Sequence, residues 1–189
     1  RTGEPGFANA LTDAIKGLDV PCGVNNNPNF RFDYGTMLPI KHIDPNGEIP
    51  FVPLPTVVCS DLEENRQVGR LIHKVAVDRG QQVVFVASCA LAHKVRRGPA
   101  LWPTDPEQAL DRQFIELVEA GDLDGLLAFA PRYVIDATAE MGGRILYTML
   151  GAMEAMRESS GDLVGLQYGP YTQSSGSGNA NLVSTPKAA

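Results

Sequence analysis

The chain has 189 residues, 43% of them hydrophobic and 20% charged, with a formal net charge of -6. That is about one domain with an ordinary core, which excludes a disordered tail. The acidic balance excludes a general nucleic-acid binder, since phosphate neutralisation needs a basic face, and no run approaches the ~20 apolar residues of a membrane-spanning helix.

Ala8 to Leu18 places Leu11, Ala14, Ile15 and Leu18 at helical spacing, which predicts a short amphipathic helix. Pro21–Pro28 reads as a turn-rich loop, and the prolines at 39, 45, 50, 53 and 55 argue against a long helix over 30–60. Asp44-Pro45-Asn46-Gly47 is a strong turn signal, with a strand expected near Val52–Cys59. Ser60 and Glu63 have the form of a capping box opening a helix that runs to Gly80. Gln82–Ser88 is the strongest strand signal; its lack of alternation predicts cover on both faces, as in a central strand.

After a loop through Pro103, a helix is expected from Pro106 to Ala120 and another over Leu123–Phe129, closed by Pro131. Residues 133–157 read as mostly helical, weakened at Gly142-Gly143. Val164–Tyr168 reads as a last strand, followed by a Gly/Ser/Asn-rich loop tail. The resulting expectation is a single three-layer α/β domain, with a mostly buried central mixed sheet flanked by helices.

Few residues point to chemistry by themselves. Cys22, Cys59 and Cys89 are odd in number and lack CxxC spacing, which predicts free thiols in a reducing, cytoplasmic compartment. Basic residues are dispersed apart from Lys94-Val95-Arg96-Arg97. His42 and His73 read as ordinary loop and helix histidines. His93 differs, because it follows the end of the predicted central strand, where sites form in α/β sheets and where an imidazole can pass protons at neutral pH. Ser88 and Cys89 lack the GxSxG elbow of a hydrolase nucleophile, and Gly176-Ser177-Gly178 has no following helix to cradle a phosphate. Asp33, Tyr34, Glu140 and Tyr168 are uninformative singly.

Taken in order, four segments resemble a known family. Phe32-Asp33-Tyr34-Gly35-Thr36-Met37-Leu38-Pro39 resembles the D-H-G-x-x-x-P segment of class III extradiol ring-cleavage dioxygenases, a superfamily that includes the protocatechuate 4,5-dioxygenase β subunit. Ser88-Cys89-Ala90-Leu91-Ala92-His93 resembles its S-G-x-L-S-H segment. Glu140-Met141-Gly142-Gly143-Arg144 through Gly151-Ala152 resembles its acidic-then-G-A helix, and Tyr168-Gly169-Pro170 through Gly178 its closing aromatic-then-G-x-G stretch.

The resemblance implies a non-haem Fe(II) enzyme that opens a catechol-like or aminophenol-like ring with O2. It implies His93 as the acid–base catalyst, Tyr34 in the place of the D-H-G histidine, Glu140 as the carboxylate iron ligand and Tyr168 against the substrate. Tyrosine at that place is associated with the aminophenol-cleaving branch. The family's two iron-binding histidines precede the D-H-G segment, whereas this sequence has no histidine before His42. With Arg1 in place of an initiator Met, residues 1–189 are expected to be the C-terminal two-thirds of a longer subunit.

Two subunit readings follow: part of an iron-binding subunit, or the non-catalytic partner of a homologous catalytic subunit in a hetero-oligomer, without iron of its own. A metal-free binding or scaffold protein of the same fold is the alternative. No nucleic-acid or membrane partner is expected.

Overall fold

The computed structural model describes residues 2–95 and 102–188. Among these residues the chain forms α1 (Pro5–Lys16), α2 (Tyr34–Ile43), α3 (Leu62–Asp78), α4 (Asp105–Glu119) and α5 (Leu123–Asp136). A 3₁₀ turn (Glu140–Gly143), α6 (Arg144–Ser160), β1 (Leu163–Ser174) and β2 (Ser177–Pro186) complete the order. The main core lies where α4, α5 and α6 pack together and against the β1–β2 hairpin, around Phe114, Leu126, Tyr133 and Leu150. A smaller cluster joins Phe7, Leu11 and Ile15 of α1 to Ile72, Val75 and Ala76 of α3.

Helix starts follow side-chain chemistry. The α3 capping box is formed by Asp61 and Glu64, one residue later than expected, because Asp61 accepts the Glu64 N–H at 2.7 Å while Ser60 turns back to the Val57 carbonyl. Thr104 and Glu107 cap α4 in the same reciprocal way. α3 and α6 cross closely at Gly69 and Gly151, where a Cβ would collide with the Thr148 and Arg66 carbonyls respectively. Flanking that contact, Arg66 forks onto Glu154 at 2.8 Å and Arg70 reaches Glu158 at 2.6 Å.

Several expectations are corrected. The described residues contain one two-stranded antiparallel sheet, not a buried central mixed sheet between helical layers. Gln82–Ser88 forms no regular secondary structure and pairs with no described strand, and Val84 is 81% exposed. A segment apolar on both sides becomes a central strand only when neighbours flank it on both edges. The expected strand near Val52–Cys59 is reduced to one bridge between Phe51 and Gly3.

The Pro-rich stretch contains a helix after all, because Asp33 caps α2 by accepting the Thr36 N–H at 2.8 Å. Helix α5 runs through Pro131 to Asp136, since burial of Ala130, Tyr133 and Ala137 offsets the missing proline N–H. The Gly/Ser/Asn-rich tail is not a loop. Residues 177–186 form β2, paired from Ser174↔Ser177 to Leu163↔Pro186, with a register shift between Tyr168 and Thr172.

Candidate functional site

Of the residues singled out in the sequence, Glu140 and the Asp33-Tyr34-Gly35 helix start are tied to the segment Ser88–His93, whose centre, Ala90 to Ala92, is buried. Leu91 donates its N–H to the Gly178 carbonyl at 2.9 Å, and Gly178 donates back to the Ala92 carbonyl at 2.8 Å. On the other side His93 donates its N–H to the Thr138 carbonyl at 3.1 Å, and Glu140 donates its N–H to the Leu91 carbonyl at 3.3 Å. Antiparallel bridges Ala92↔Ala139 and His93↔Ser177 mark the same contacts. Ala92 and His93 thus bridge, one residue to each side, the turn after α5 and the start of β2.

Glu140 sits on that turn. Its carboxylate accepts the Ala90 N–H, and its Oε1 lies 4.0 Å from His93 Nε2. The turn that holds it is strained: Thr138, Met141, Gly142 and Gly143 all have positive φ, between 53° and 79°. At Gly143 a Cβ would also collide with the Val134 side chain, so glycine is needed there twice over. The His93 ring is half-buried, and its Nδ1 is buried with no hydrogen-bond partner among the described residues.

A second tie reaches Tyr34. Ser88 Oγ donates to the Gly35 carbonyl at 2.7 Å, bringing the Asp33-Tyr34-Gly35 helix start against the Ser88–His93 segment. That carbonyl is free for Ser88 because Pro39, four residues on, has no N–H to give it. Asp33 serves as the α2 cap, and Tyr34 projects outward, 79% exposed. Tyr168 is not brought to His93. It pairs with Asn181 in the hairpin, four β2 residues or about 13 Å of strand from the His93↔Ser177 bridge, and is 57% exposed.

Neither candidate nucleophile is activated. The Ser88 hydroxyl is committed to Gly35, and burial, helped by the Glu140 charge, pushes the Cys89 thiol up to about 12. His73 bonds Ser159 Oγ at 2.7 Å, and burial lowers its tendency to protonate. Arg96 and Arg97 of the basic cluster lie outside the described residues.

Sequence reasoning missed three residues. Asp111 on α4 is 0% exposed and accepts from Tyr133 Oη at 2.7 Å, Tyr171 Oη at 2.6 Å and the Ala92 N–H at 3.0 Å. Burial pushes the Asp111 carboxyl up against the opposing pull of these donors, and pushes both tyrosine hydroxyls up as well. The one signal in the sequence was an aspartate on what should be the apolar face of α4, between Glu107 and Phe114.

Among the described residues no three His, Cys, Asp or Glu side chains converge as a metal site. No helix among them is long and apolar enough to cross a membrane. Comparison with known proteins bears on the same segments. The family described as the catalytic LigB subunit of aromatic ring-opening dioxygenase matches residues 2–175. The chain is 26% identical over 144 residues to the 2-aminophenol 1,6-dioxygenase beta subunit of a Pseudomonas species, covering 68% of this chain and 47% of that one. It is 20% identical over 139 residues to 3,4-dihydroxyphenylacetate 2,3-dioxygenase of Escherichia coli, covering 69% and 50%. The matched stretch thus spans about half the length of these curated relatives.

Proposed function

Because the chain belongs to the family of the catalytic LigB subunit of aromatic ring-opening dioxygenase, we propose that it is part of a subunit that opens a catechol-type or aminophenol-type ring with O2. In this reading residues 1–189 are the C-terminal two-thirds of the subunit, working beside a homologous subunit in a cytoplasmic hetero-oligomer. The observation that carries the reading within the site is the His93–Glu140 pair, 4.0 Å apart on two segments pinned to each other by backbone hydrogen bonds.

His93 is the acid–base group, exchanging protons with the reacting ring through Nε2, while Tyr34 donates a hydrogen bond from its phenol. Glu140 is the carboxylate that would face Fe(II). Among the described residues no donor set completes an iron site. Glu140 already accepts the Ala90 N–H, and His42 and His73 stand apart on α2 and α3. Support for aminophenol as substrate rests on Tyr34 and on the name of one relative.

Metal analysis of the isolated chain and of the enzyme purified with its partners tests the reading, together with ring-opening assays on 2-aminophenol and catechol. Iron and ring opening in the assembly support it. Iron in the assembly but none bound by the subunit carrying this chain assigns the chain to the non-catalytic partner. The same incomplete donor set favours a second reading, a metal-free scaffold of this fold. That reading would hold if the assembly formed normally yet contained no iron and opened neither ring.

A further inference from the structure

Asp111 is an ionisable group in the middle of an apolar core. It shares α4 with Phe114, Ile115 and Val118, all buried, and its carboxyl is fully enclosed. A leucine would fill the same space without a desolvation penalty, so the carboxylate needs a reason to be there. Its three donors converge from three different elements: Tyr133 from α5, Tyr171 from β1 and the backbone N–H of Ala92.

The Ala92 N–H is the informative partner. Leu91 and His93 each donate their N–H groups to backbone carbonyls, Leu91 to Gly178 on one side and His93 to Thr138 on the other. Ala92 falls at the changeover between these neighbours and donates to a side chain, Asp111 Oδ1 at 3.0 Å. A buried N–H left without an acceptor is costly, so without Asp111 the Leu91–Ala92 peptide, one residue before the peptide that carries the His93 N–H, would turn to find one. Gly178 closes the arrangement from the other side, since a Cβ there would run into Asp111 Oδ2 and the Tyr171 ring.

We propose that Asp111 is a positioning residue: through the Ala92 N–H it fixes the backbone from which His93 projects, and so aims the imidazole for ring opening. This rests on the functional reading above. Asp111 does not touch the reacting atoms. Its effect passes from the Leu91–Ala92 peptide through Ala92 to His93, and misplacement of a catalytic group by about 1 Å can cost on the order of 100-fold in rate. Tyr133 and Tyr171 hold the carboxylate in its orientation and satisfy its remaining lone pairs.

The test uses the complete enzyme with Asp111→Leu, Asp111→Asn and Tyr171→Phe, read by kcat and KM on 2-aminophenol and catechol and by amide hydrogen exchange at Ala92. For Asp111→Leu the expected result is a kcat loss of about 10–100-fold, KM within about threefold, and Ala92 exchange accelerated at least about tenfold. Asp111→Asn keeps an acceptor for Ala92 and should restore kcat to within about threefold of the parent. Tyr171→Phe should do the same, because the Ala92 bond survives.

Should the leucine variant not fold, Asp111→Ser takes its place, since its hydroxyl stops short of Ala92 yet leaves room for a water beside the tyrosines. Unchanged Ala92 exchange in the Leu or Ser variant overturns the proposal, as does full kcat there or a loss in Asp111→Asn equal to that in Asp111→Leu. If the parent enzyme opens neither ring, the functional reading fails while the exchange measurement still decides whether Asp111 holds Ala92.

Discussion

Ser88 Oγ donates to the carbonyl of Gly35 at 2.7 Å across 53 residues of sequence, and it can do so because Pro39 leaves that carbonyl without its helical partner. The G-x-x-x-P spacing of one segment thus creates the acceptor that the first residue of the other segment uses. Ser88→Ala should cost about 0.5–1.5 kcal/mol, as for an ordinary side-chain hydrogen bond. The loss should be smaller in a Pro39→Ala background, where the new N–H serves Gly35. Urea denaturation of the four members of this cycle gives the coupling; equal losses in both backgrounds would refute the account.

In an active enzyme His93→Ala should lower ring-opening turnover by about 10²–10⁴-fold, the usual scale for a general acid–base group. Iron content should stay unchanged, since His93 is not a ligand in this reading. Steady-state rates with metal analysis on the same sample check both statements, and undiminished turnover would remove His93 from the mechanism.

The turn that carries Glu140 should respond unequally to two neighbouring substitutions. Gly142→Ala meets only the movable Arg144 Nη1, at 3.0 Å, and should cost about 1–2 kcal/mol for the left-handed backbone. Gly143→Ala adds a collision with Val134 and should cost about 2–5 kcal/mol, the same backbone term plus overpacking. Thermal melts of the two variants decide it. Equal costs would mean that the turn relaxes away from α5.

Asp111 gives stability a specific pH dependence. Burial holds its carboxyl above the ordinary value of about 3.9, opposed by its three donors and reinforced by the nearby Glu107; Arg112 faces the adjoining Tyr171. The unfolded chain ionises first, so above that value the folded state binds more protons. The group's contribution is fully present below about pH 3.9 and is lost as pH rises through its raised folded value. The stability of the parent relative to Asp111→Asn should therefore decline as pH climbs from about 4 and then level off. Urea melts across that range measure the difference, and one that grew with pH would contradict the raised carboxyl.

What the sequence determined by itself were the features that local chemistry controls. The amphipathic spacing of α1 and α3 and the acidic first turn of α4 located those helices to within a few residues, and Gly142-Gly143 marked the break before α6. The four ordered segments also sufficed to identify the family, since family membership is a property of residue order. Tertiary structure decided the rest. Gln82–Ser88 has the composition of a central strand, but pairing is a property of neighbours, and no described strand lies beside it. The polar tail reads as loop, yet it became β2 because β1 offered a ladder for it to join. Pro131 looked like a helix end until the burial of Tyr133 kept α5 going. Asp111 was invisible for the same reason. A lone aspartate in an amphipathic pattern has no meaning until folding brings Tyr133, Tyr171 and the Ala92 N–H to it from distant parts of the chain.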